Sequence, residues 1–179
     1  MTNRTTAGSP HPYLPFFVYG TLLPGQPNFD LWRADIVALR PARLGGFVLL
    51  DLGPYPMMVR HPAEVVGMIA ELERNSFPAV VSALDYLEGF EPARPSASEY
   101  RRERHIALTL GGMPVAVWTY VGYPKTGSFP LVPGGDWKRH TRGQRGTLDA
   151  WWDGIATVGP AHRVQPDAGP LPAGRLPGR

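Results

Sequence analysis

The chain has 179 residues, enough for one domain with extensions, and 43% of them are hydrophobic, as a globular core requires. It has no cysteine, which excludes a disulfide scaffold, thiolate zinc sites and a cysteine nucleophile. The net charge of +3, from 18 basic and 15 acidic residues, is too mild to mark a nucleic-acid binder by itself.

In chain order, residues 1–14 read as a disordered lead-in, polar and without the apolar centre of a signal peptide. No apolar run approaches the roughly 18 residues of a membrane helix, so no membrane contact and a cytoplasmic location are expected. Phe16-Phe17-Val18-Tyr19 is a short apolar and aromatic run stopped by Gly20, the pattern of a buried central strand. Residues 29–39 fit either a short helix or an irregular segment. Arg43 to Leu50 reads as a second strand with a bulge or close approach at Gly45-Gly46, and Val65 to Glu73 as a third.

A helix follows. Asn75 or Ser76 can cap it, Pro78 suits its first turn, and Val80, Val81, Leu84 and Leu87 share one apolar face. Gly89 stands where a left-handed C-cap is expected. Residues 100–110 and 114–121 alternate as two strands joined at Gly111-Gly112, a hairpin signal. A closing helix is predicted near Thr147, carrying Leu148, Trp151 and Ile155 inward. Residues 159–179 read as a disordered tail rich in proline, glycine and arginine. With 21 glycines and 21 prolines, the reading is α+β, a domain over residues 15–158 built on a curved sheet or small barrel with one principal helix.

Chemistry concentrates in two places. Glu88 stands in the last turn of the helix, where its charge opposes the dipole; it is either surface decoration or, if buried at the mouth of the sheet, a general acid–base of raised pKa. Asp85, one turn earlier, is the rival acid, or else an exposed partner for a basic side chain. The turn Tyr19-Gly20-Thr21-Leu22 is either a tight strand exit or a backbone nest for a carboxylate or oxyanion. No lysine follows it at phosphate-loop spacing, which argues against a nucleotide. His11, His61, His105, His140 and His162 are scattered, and no Gly-x-Ser-x-Gly elbow is present, so neither a metal site nor serine catalysis is expected. The basic clusters Arg101-Arg102-Glu103-Arg104 and Lys138-Arg139-His140-Thr141-Arg142 read as solvated surface, the first split between two faces by strand alternation.

Taken together, residues 16 to 137 resemble the γ-glutamylcyclotransferase-like family, which includes the AIG2-like proteins. The resemblance is carried by Phe17-Val18-Tyr19-Gly20-Thr21-Leu22 with Gly25 and Asn28, by Gly53-Pro54-Tyr55-Pro56 and by Val66-Gly67. It continues through Leu84-Asp85-Tyr86-Leu87-Glu88-Gly89-Phe90, Tyr100-Arg101-Arg102, Trp118-Thr119-Tyr120 and Gly135-Asp136-Trp137. Met68 departs from it, standing where the family commonly has a polar residue.

The resemblance implies a small mixed barrel with a pocket at one end and Glu88 as the acid–base residue. It further implies cyclisation of a γ-glutamyl amine or amino acid to 5-oxoproline with release of the amine, without cofactor or metal. Backbone N–H groups of Gly20, Thr21 and Leu22 would hold the substrate, and Tyr19, Tyr55 and Tyr100 would line the pocket or pack in the core. Arg102 would fix the pocket's charge or serve a structural ion pair. The expected partner is a small γ-glutamyl substrate. The alternatives are a non-catalytic module binding small carboxylates, and an interaction protein acting through its basic tail.

Overall fold

The computed structural model describes residues 12–142, and in it five strands close into a barrel of order β1-β3-β2-β4-β5. The strands are β1 (Phe16–Val18), β2 (Ile36–Asp51), β3 (Pro56–Leu72), β4 (Tyr100–Thr109) and β5 (Pro114–Gly122). Strand β1 is wholly buried and lies antiparallel to β3 and parallel to β5, where Phe16 pairs with Trp118. That parallel contact makes the barrel a mixed one and removes its open edges.

Strands β2 and β3 form one long hairpin, much longer than the two segments expected from sequence. Prolines and glycines hid its extent. Between the pairs Gly45↔Glu64 and Phe47↔Arg60 the register shifts, and His61, Pro62 and Ala63 bow out opposite the Gly45-Gly46 bulge. The bulge takes Pro62 out of the ladder, where its missing N–H costs nothing. The undecided segment 29–39 resolves into two 3₁₀ turns, Phe29–Leu31 and Arg33–Asp35, followed by the start of β2 at Ile36.

The principal helix, α1, spans Phe77–Leu87. Ser76 occupies its cap position, but the hydroxyl turns back to donate to the Glu73 carbonyl at 3.3 Å instead of capping an N–H. Phe77, Val80, Val81, Leu84 and Leu87 are buried against the barrel wall with Phe16, Val18 and Tyr120. A second apolar cluster fills the barrel interior, with Phe17, Tyr19, Leu49, Met58, Ile69, Val117 and Val121. Strand alternation splits neighbours between the two layers, so Met57 packs toward α1 and Met58 into the barrel. Met68 packs against the α1 layer.

A short helix, α2 (Trp137–Thr141), is capped by Asp136, whose carboxylate accepts from the Arg139 N–H at 3.0 Å. The sequence reading had no helix there. The closing helix predicted near Thr147 and the 159–179 tail lie outside the described residues, as do residues 1–11 of the lead-in. Ahead of β1, the Trp118 indole donates to the Pro12 carbonyl at 3.0 Å and the Tyr13 ring lies 4.8 Å from Phe77. Among the described residues, no helix is long and apolar enough to cross a membrane.

Candidate active site

Glu88 is the C-cap of α1, its N–H bonded to the Leu84 carbonyl at 3.0 Å. Gly89 follows with φ of 62°, and the chain closes a double turn: Gly89 N–H donates to Tyr86 O at 3.2 Å and Phe90 N–H to Asp85 O at 2.8 Å. This is a Schellman motif, and it ends the helix immediately after Glu88. Glu88 is only half-buried as a residue, but removal of its carboxyl from water, and then the charge of Asp85, push its pKa up to about 8. The helix C-terminus acts in the same direction.

Four tyrosines from four other parts of the fold feel the Glu88 charge. Tyr19 follows β1, Tyr55 lies in the β2–β3 turn, Tyr100 opens β4, and Tyr120 lies on β5. Each is pushed above its ordinary pKa first by burial and then in part by neighbouring acids, Glu88 among them. At neutral pH they therefore face Glu88 as neutral hydroxyls. The Tyr19 hydroxyl donates to the Tyr120 carbonyl at 2.9 Å, and that of Tyr100 to the Pro56 carbonyl at 3.4 Å. Among the described residues the Tyr55 hydroxyl has no hydrogen-bond partner, which leaves it open to a ligand.

The glycine turn is held from behind. Asn28, 4% exposed, donates its side-chain amide to the Thr21 hydroxyl and its backbone N–H to the Thr21 carbonyl, both at 3.0 Å. Leu23 N–H closes on Gly20 O at 3.1 Å, and the Trp32 indole donates to Leu22 O at 3.3 Å. These bonds use the carbonyls of the turn. Among the described residues no protein acceptor takes the N–H groups of Gly20, Thr21 or Leu22. Gly20 is required by close approach and not by a positive φ: a Cβ there would stand 2.8 Å from Pro56 Cγ. The turn thus packs on the residue whose carbonyl receives the Tyr100 hydroxyl.

Asp85 departs from the expected exposed position. It is 7% exposed and takes a fork from Arg102, Nε to Oδ1 at 2.8 Å and an Nη to Oδ2 at 3.2 Å, while the Tyr120 hydroxyl donates to Oδ1 at 2.7 Å. Arg102 is therefore a buried structural partner and not part of a solvated surface, although the expected split of its cluster holds: Arg101 and Glu103 turn to the other face, where both meet Tyr123. Physically, alternation in β4 puts Tyr100 and Arg102 on the face that α1 covers. Tyr120 was not singled out from sequence, and the signal was there, since Trp118 and Tyr120 alternate with the barrel-filling valines.

A family model described as gamma-glutamyl cyclotransferase, AIG2-like, matches residues 16–139. Several solved structures share the fold. An uncharacterized protein of Pyrococcus horikoshii is 16% identical, with a TM-score of 0.53 over 74% of this chain and 97% of that one. A protein of Arabidopsis thaliana is 22% identical, with a TM-score of 0.52 over 84% and 97%. An AIG2-like protein of Mus musculus is 23% identical, with a TM-score of 0.51 over 76% and 94%. No curated protein matches the sequence.

Proposed function

The chain belongs to the gamma-glutamyl cyclotransferase, AIG2-like family, and from that membership we propose that it cyclises the γ-glutamyl group of a γ-glutamyl amine or amino acid to 5-oxoproline, releasing the amine. The observation that carries the reading is the state of Glu88: one carboxyl, lifted to about 8, whose charge is felt by four neutral tyrosines, among them Tyr19, which directly precedes a turn whose N–H groups have no protein acceptor among the described residues.

In the proposed reaction the α-ammonium of the substrate gives a proton to the Glu88 carboxylate. The freed amine attacks the substrate's own γ-carbonyl, forming the ring C–N bond. The tetrahedral oxygen collapses, the bond to the leaving nitrogen breaks as Glu88 returns the proton to that nitrogen, and the ring nitrogen gives up its second proton to the released amine, which departs as an ammonium. Attack within one molecule needs folding and orientation more than activation, which suits a site with no nucleophile of its own. The N–H groups of Gly20, Thr21 and Leu22 would hold the α-carboxylate or the developing oxyanion. Tyr55 would supply a hydroxyl to the substrate, and Tyr19 and Tyr100 would wall the site.

A panel of γ-glutamyl amines and γ-glutamyl amino acids, assayed for 5-oxoproline beside Glu88→Gln, tests this. Product from the wild type and a loss of at least about a hundredfold in the variant is expected. Absence of product from every substrate, with a small carboxylate still protecting the protein thermally, would favour the non-catalytic module.

A further inference from the structure

We propose that Asp85 and Arg102 are positioning residues for Glu88, a clamp that fixes the last turn of α1 on the β4–β5 wall; the inference rests on the reading of Glu88 as the acid–base residue. Asp85 stands three residues before Glu88 and Phe90 two residues after it. One guanidinium serves both flanks. Arg102 forks onto the Asp85 carboxylate and lies 5.8 Å from the Phe90 ring centroid and 4.8 Å from that of Trp118. The Asp85 backbone carbonyl also accepts from the Phe90 N–H, and its side chain accepts from the Tyr120 hydroxyl. Side chain and main chain of one residue thus define where the turn carrying Glu88 begins, and how it rotates.

Stability alone does not call for such a device. The side chains of Arg102 and Asp85 are 2% and 10% exposed, and an apolar pair of that volume would hold a helix on a sheet without the cost of desolvating two charges. What an apolar pair cannot do is set direction, whereas a two-bond fork fixes angle as well as distance. The clamp also brings a carboxylate beside Glu88. The groups facing Glu88 are then Asp85 from α1, Tyr19 from the turn after β1, Tyr55 from the β2–β3 turn, Tyr100 from β4 and Tyr120 from β5, with Arg102 facing Asp85.

The test compares Arg102→Lys, Asp85→Asn and Tyr120→Phe with the wild type, after thermal melts have shown which variants fold. One readout is the pH profile of kcat and KM on whichever γ-glutamyl compound the wild type turns over. The other is a carbon-13 NMR titration of the Glu88 carboxyl, which needs no turnover. Arg102→Lys keeps the charge and loses the fork, so kcat should fall about tenfold to a hundredfold with KM nearly unchanged and the Glu88 midpoint near its wild-type value. Asp85→Asn should move the Glu88 midpoint to lower pH. Should Arg102→Lys fail to fold, Tyr120→Phe removes a single hydroxyl and should still lower kcat severalfold.

Wild-type kcat in Arg102→Lys and Tyr120→Phe, or an unmoved Glu88 midpoint in Asp85→Asn, would overturn the proposal and leave a structural ion pair. A wild type that turns over nothing would count against the cyclotransferase reading, and an unmoved Glu88 midpoint in Asp85→Asn would overturn the clamp independently of it.

Discussion

A carboxyl that titrates near 8 inside the fold, against 4.5 outside it, marks the stability of the protein as well as its chemistry. Between those pH values the unfolded chain has released the proton that the native state retains. Unfolding is therefore favoured progressively as pH rises through that window, and the effect is complete above it. Glu88→Gln removes the titration. The variant should be more stable than the wild type at pH 8 by about 2 kcal/mol, a figure reduced for the partial exposure of the residue, and the gap should close toward pH 4.5. Thermal melts of the two proteins across that range measure it. Equal melting curves at pH 8 would mean that the carboxyl is solvated and that burial does not tune it. A stability gain paired with lost turnover is what a residue kept for function at the expense of the fold should give.

At the scale of the element, the end of α1 carries the second prediction. Gly89 is held at φ 62°, and a Cβ in that conformation costs about 1 kcal/mol. Gly89→Ala should lose about that much stability, read as a drop of a few degrees in Tm. Turnover should fall by more than the unfolded fraction explains, because relief of the strain rotates Glu88. Gly45→Ala is the control: its φ is not positive, a Cβ there meets nothing within 4 Å, and both quantities should hold. The helix was legible in the sequence because its signals are local: Pro78 in the first turn, an apolar face at helical spacing, a glycine after the last turn. The β2–β3 hairpin was only half legible, since Pro62 and the paired glycines read as breakers until a bulge accommodates them, and Pro41 stays in the ladder opposite Met68. Glu88 was legible as an anomaly of charge at a helix end, and the glycine turn as a candidate nest. The burial of Asp85 was not, because it depends on Arg102 and Tyr120 from strands 17 and 35 residues away. Environment of that kind is set by pairing across the barrel, which no local pattern encodes.

On the scale of the whole molecule, the groups gathered at the candidate site are Tyr19, Tyr55, Glu88, Tyr100 and Tyr120, which come from a turn after β1, the β2–β3 turn, the end of α1, and both strands of the last hairpin. Strand β1, only three residues long, lies between β3 and β5 and closes the barrel, which brings the turn after it to that set. Among the described residues no contribution to that set comes from beyond β5, and the family match ends at residue 139. The cyclotransferase reading therefore places no demand on residues 159–179, whereas a protein working through its basic tail would depend on them. A chain ending at residue 158 should keep kcat/KM toward γ-glutamyl compounds within about twofold of the full chain, the range of changes remote from a site. The comparison should be run at low and at moderate salt, since attraction of the tail's arginines to an anionic partner would be screened at about 0.15 M. Turnover that survives truncation at both salts assigns the activity to the barrel and its helix. Turnover lost on truncation, or retained only by the full chain at low salt, would make the tail part of the functional unit and reopen the interaction reading.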